Sequence, residues 1–149
     1  MNLVPAPGAA ITADDFLKLC KGHRHDALTL LAHGTTNGAW FHVGLAVECC
    51  LKAAIIQKER WNAWPQKEAS QGLYTHDLLR LFRMLGVEPH QFDTRNPIAP
   101  ALKTILDWRR DHGYSRRGVP KKVAEALSKA AFGGDGVIEW LATNYRLDI

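Results

Sequence analysis

The chain has 149 residues, 46% hydrophobic and 23% charged, which is the balance of one soluble globular domain long enough to bury a core without disulfides or metal. Three cysteines, two of them adjacent at Cys49 and Cys50, exclude a disulfide framework, and no apolar run reaches the roughly 18 residues of a membrane span. The net charge of +4 is uneven, because residues 103–122 hold seven Lys and Arg against Asp107 and Asp111.

Residues 1–11 are broken by Pro5, Pro7 and Gly8 and read as an arm without the basic and apolar regions of a signal peptide; together with the unpaired cysteines this predicts a reduced, cytoplasmic protein. A single helical domain is expected over 12–149. Thr12 and Asp15 have the spacing of a capping box, with Asp in place of Glu. The helix they open turns Phe16, Cys20, Ala27, Leu30 and Leu31 inward and closes at His33-Gly34, with a bend expected in the polar stretch 21–26. Residues 35–38 read as a turn and cap.

Residues 39–56 then carry apolar side chains around nearly the whole helical circumference. Trp40, Gly44, Val47, Leu51, Ala54 and Ile55 follow one face, and Phe41, Leu45, Cys49 and Ile56 cover another. A helix of this kind needs neighbours on several sides, so it is expected at the centre of a bundle. Only Glu48 and Lys52 interrupt it, four residues apart on one face.

Residues 62–73 lack a period and read as a loop. Thr75 is the expected cap of a third helix, whose Leu78, Leu81, Phe82 and Leu85 share a face before Gly86 stops it. Pro100 suits the first turn of a fourth helix, which is expected to end at Gly113. Pro120 opens a last helical region, with Val123, Leu127 and Ala130, then Val137, Trp140 and Leu141, inward. Gly133-Gly134 kinks or splits it, and Asp135 would cap a second piece. With no strand alternation, the fold class is all-α, an antiparallel bundle of four to five helices.

The stretch from Phe41 to Ile55, followed by Thr75-His-Asp-Leu-Leu-Arg-Leu81 and the aromatic-basic Trp108-Arg-Arg-Asp-His-Gly-Tyr114, resembles HEPN (higher eukaryotes and prokaryotes nucleotide-binding) domains over about residues 14–144. The resemblance implies a helical bundle, often a homodimer, from bacterial toxin–antitoxin and defence systems. It also implies either a nucleotidyltransferase-type partner protein or metal-independent ribonuclease activity. Catalytic members place Arg and then His, with four to six residues between them, near the start of a late helix. Arg83 and His90 are the only pair here with that spacing, and Gly86 and Pro89 between them prevent one helix from holding both. The chain therefore reads as a non-canonical member, a module that binds RNA, a nucleotide or a partner enzyme without catalysing a reaction. The alternative is a ribonuclease using an atypical His and Arg site.

Ten residues are candidates for ligand binding. Glu48 and Lys52 form either an acid–base pair or a buried structural pair. His76 and Asp77 stand where a helix N-terminus attracts anions, or cap it and pack against Glu48. Arg109, Arg110, Arg116 and Arg117 suit phosphates, with Tyr114 or Trp108 as a stacking face and His112 as a possible base among the arginines. Lys121 and Lys122 begin a helix, where the dipole disfavours cations. His42 and Cys49 share a helix face, but no metal-ligand spacing completes a site, so neither metal nor cofactor is expected.

Overall fold

Thr12 opens the described structure. Its side chain accepts from the Asp15 N–H at 3.1 Å while its own N–H donates to Asp15 Oδ2 at 3.1 Å, the reciprocal capping box that the sequence predicts. The computed structural model describes residues 12–65, 75–114 and 116–149, so the arm assigned to 1–11 and the greater part of the 62–73 loop lie outside the described residues. Helix α1 (Ala13–Ala32) buries Phe16, Leu17, Cys20 and Ala27. It runs unbroken through the polar stretch where a bend was expected, since most of residues 21–26 face water and need no break in the helix.

After the turn at His33 to Thr35, with Gly34 at φ +76, helix α2 (Thr36–Glu59) returns antiparallel along α1. Every residue from Ala46 to Ile56 is buried, and α2 packs on α1 and also on α3 (Leu78–Met84), α5 (Lys121–Phe132) and α6 (Val137–Tyr145). This is the central helix that its all-round apolarity demands. By length and composition α2 would also suffice to cross a membrane, contrary to the sequence expectation, but 83% of its apolar window is buried within the fold, the situation of a core helix. It starts earlier than the sequence suggests. Thr36 and Asn37 do not form a capping turn; their side chains hold the carbonyl and N–H of Val119, each at 2.6 Å.

Among the described residues there is no strand. The fold is an all-helical bundle, completed by α4 (Ala99–Ile105), with Pro100 in its first turn as expected. α4 ends well before Gly113. Trp108 leaves the helical path and lays its indole on Gly44, where a Cβ would come within 1.7 Å of the ring, while its Nε1 donates to the Trp40 carbonyl at 3.0 Å. A 3-10 turn, Arg110–Tyr114, follows.

The C-terminal region splits into α5 and α6 at Gly133-Gly134. Gly136, not Asp135, takes the N-cap position of α6, without a side-chain cap. On α5 the expected Leu127 and Ala130 are buried, but Ala124 takes the first buried position and Val123 is 43% exposed.

Candidate functional site

Glu48 lies within α2 with its side chain only 7% exposed. A buried carboxylate costs several kcal/mol unless it is paired. Lys52 Nζ, one turn further on, donates to Oε2 at 3.2 Å, and His76 Nδ1 donates to Oε1 at 2.9 Å. The Lys52 ammonium also stands over the rings of Phe16 and Trp64, 5.8 and 5.7 Å from their centroids, so its charge is enclosed by a carboxylate and two aromatic faces.

His76 is placed by the approach to α3. Asp77 caps that helix, accepting from the Arg80 N–H at 3.3 Å, while Thr75 Oγ1 accepts from the Asp77 N–H at 3.1 Å. The cap is therefore Asp77 and not Thr75; Thr75 forms the turn before it. His76 points back at α2, and Arg110 Nη1 approaches its ring, 2.6 Å from Nε2 and 3.0 Å from Nδ1. Carboxylate, imidazole and guanidinium thus follow one another from the core to the surface. Glu48 accepts from Nδ1–H, and Arg110 Nη1, close to both ring nitrogens, lies against the imidazole and not along one lone pair, which brings an imidazole and a cation to one point.

His112 has a different role. Its Nδ1 accepts from Trp40 Nε1 at 3.1 Å and from the Arg109 N–H at 3.2 Å, which fastens the 108–112 segment to α2. The Arg109 side chain turns to Asp111, with contacts of 3.1 and 2.5 Å; this pairing holds Asp111 below the usual carboxylate range and raises Arg109.

Arg116 and Arg117 are exposed on a loop anchored by Val119 to the start of α2. The side chain of Tyr114 lies outside the described residues. Lys121 meets Glu125 at 3.7 Å across one exposed turn, a partner that offsets its place at a helix N-terminus. Arg83 and His90 diverge: Arg83 Nε donates to Glu88 at 2.8 Å and lowers that carboxylate's pKa, while His90 turns to a cleft.

That cleft, about 990 Å³, lies against α3, α4 and the 108–111 segment. Its apolar wall includes Leu78, Phe92, Leu106 and Trp108. Its polar groups include His76, His90, Lys103 and Arg110. Of the ten candidates, His76, Asp77, Arg109 and Arg110 line it, whereas Arg116 and Arg117 do not. The sequence reading missed His90 and Phe92 as lining residues, and the only signal was their Pro-punctuated loop. Charges around the cleft balance, with Lys103, Arg109 and Arg110 against Asp77, Asp107 and Asp111.

A second polar cluster joins α1 to α2. His42 does not engage Cys49, whose thiol burial pushes up to about 12, but meets His23, with the two Nδ1 atoms 2.9 Å apart. Burial, and then the facing His42, lower the His23 pKa.

No family model, curated protein or solved structure matches the chain.

Proposed function

We propose that the cleft binds a nucleotide, free or at the end of an RNA, in a HEPN-like module that does not itself catalyse a reaction. The observation that carries this reading is the pairing, in one cleft of about 990 Å³, of an apolar wall including Phe92 and Trp108 with Arg110, Lys103 and His76. Such a cleft has the size of a small-ligand site. Its wall suits a base, and a guanidinium fork suits a phosphate. The balanced charge around it favours one or two phosphates over a long polyanion. Buried, unpaired Cys20, Cys49 and Cys50 support a reduced, cytoplasmic setting. A homodimer, a nucleotidyltransferase-type partner and a role in toxin–antitoxin or defence systems rest on the resemblance alone. Trp61, Trp64 and Trp108 pack within this chain.

Calorimetric titration with nucleoside mono- and diphosphates and a short RNA tests the proposal. Arg110→Ala should weaken binding at least about tenfold, while Arg116→Ala with Arg117→Ala should leave a mononucleotide unaffected. Absence of binding at millimolar nucleotide, or equal loss in both variants, refutes the assignment to the cleft. The Glu48–His76 contact favours a second reading, metal-independent ribonuclease chemistry with His76 as the proton acceptor and Arg110 beside the phosphate. Cleavage of labelled RNA that His76→Ala abolishes would establish that reading over the non-catalytic one.

A further inference from the structure

His23 and Asp26 are three residues apart on α1 and therefore on one face of it. His42 projects from the antiparallel α2, and its Nδ1 lies 2.9 Å from that of His23. Among the described residues these three form the one group of His, Cys, Asp or Glu side chains whose ligand atoms gather closely enough to share an ion, all within 4.8 Å of one another. We propose that His23, Asp26 and His42 bind a borderline first-row divalent cation of the zinc type, with water completing its coordination.

The geometry carries the assignment. Two imidazole nitrogens each about 2.05 Å from one ion stand about 2.9 Å apart at a right angle and about 3.3 Å apart at the tetrahedral angle. The observed separation meets the first value and is a small ring rotation from the second. Both histidines are half-buried and are carried on the two longest helices of the bundle, so the pair is held by rigid elements. Asp26 is exposed, so its carboxylate can close on an ion by a rotamer change and leaves the remaining positions open to solvent. Two imidazoles with a single carboxylate select zinc, cobalt or nickel over magnesium or calcium, which require mostly oxygen ligands. The same two nitrogens facing each other without an ion need one to carry a proton and the other to accept it. A cation removes that requirement.

The test uses the tag-free full chain, stripped with chelator and titrated with ZnCl2 by calorimetry, together with the visible spectrum of added Co2+. One ion per chain should bind at micromolar or lower Kd. The melting temperature should rise by roughly 5 °C or more at a hundredfold excess over Kd. Mg2+ should do neither. His23→Gln and His42→Gln should each weaken Zn2+ binding by about 100-fold or more and flatten the Co2+ spectrum, Asp26→Asn by about tenfold, and the neighbouring His25→Gln not at all. Should His42→Gln fail to fold, His23→Gln and the surface change Asp26→Asn decide the matter. No binding at millimolar Zn2+, or stoichiometric binding that survives His23→Gln and Asp26→Asn, overturns the proposal.

Discussion

Gly44→Ala is the sharpest test of how the core helix positions the cleft. On propensity alone, Ala in mid-helix is favoured over Gly by about 1 kcal/mol. At position 44, however, the new Cβ would stand 1.7 Å from Trp108 Cε2, 2.0 Å from Cδ2 and 2.2 Å from Nε1. A normal carbon contact is at least about 3.5 Å, so the indole must move by roughly 2 Å. Trp108 is 3% exposed, so the ring can shift only by disturbing its packing or entering the cleft that it lines. Overpacking of this kind costs about 1–3 kcal/mol, and losing the Trp108 Nε1 to Trp40 carbonyl bond costs about 1 more. With the propensity gain subtracted, the expected net loss is about 1–3 kcal/mol, read as a lower urea midpoint at unchanged slope. The displaced ring is followed directly by Arg109, Arg110 and His112, so ligand binding in the cleft should weaken as well. Gly22→Ala is the control: it lies in α1 with no heavy atom within 4 Å of the added Cβ, and should stabilise by up to about 1 kcal/mol. In a Trp108→Ala background the cost of Gly44→Ala should largely vanish. If Gly44→Ala behaves like Gly22→Ala, the indole does not lie on Gly44 and the account of the 108–112 segment fails.

Glu48→Ala strands the buried Lys52 ammonium and removes the partner of His76, so a loss of about 3–5 kcal/mol is expected in urea melts, whereas Glu48→Met combined with Lys52→Met should recover most of it. The cysteines predict alkaline sensitivity. Cys49 is raised from 9.0 to about 12, largely by burial, and Cys50 is raised in the same direction, first by its hydrogen bond with Cys20. Above pH 9 the unfolded chain releases thiol protons that the folded chain retains, so these groups lower stability as pH rises from 9 towards 12, by up to about 1.4 kcal/mol per pH unit per thiol. Melts at pH 8 and 10.5 should differ less in a Cys49→Ala, Cys50→Ala variant, and an unchanged difference refutes the burial argument.

What the sequence made legible was local. The Thr12 and Asp15 box and the stop at Gly86 involve neighbours within one turn, and the central helix declared itself because an uninterrupted apolar circumference has few other places to go. The misplaced boundaries have distant causes. α2 begins at Thr36 because its polar first turn binds Val119, and α4 ends early because Trp108 finds Gly44. On α5, Leu127 and Ala130 are buried as their spacing predicts, but Ala124 takes the first buried position while the bulkier Val123 faces water. The same limit governs the candidate site. Glu48 with Lys52 is an i, i+4 pair and was visible; packing of His76 on Glu48 was one of two readings; the approach of Arg110 to His76, across 34 positions, was not visible. His42 shares a helix face with Cys49, but the side chain it meets, His23, belongs to another helix.

The placing of Glu48 explains why a charge is retained in the most enclosed helix of the fold. A buried ion pair contributes little net stability compared with apolar side chains of the same volume, so Glu48 with Lys52 is poorly explained as a stabilising device. Its two oxygens serve different ends. Oε2 takes the Lys52 ammonium, which neutralises the carboxylate within α2, while Oε1 is left for His76 at the entrance to α3. The imidazole is then fixed in rotation by a group that cannot move without disturbing the core, and Arg110 closes on its outer side from a segment that Trp108 and His112 fasten to the same helix. Both polar arms of the cleft are therefore referenced to α2, one through a carboxylate and one through an indole on a glycine. Such a site is held by the core helix even though its side chains come from short elements and loops, which is the condition for a preorganised binding surface on a small bundle.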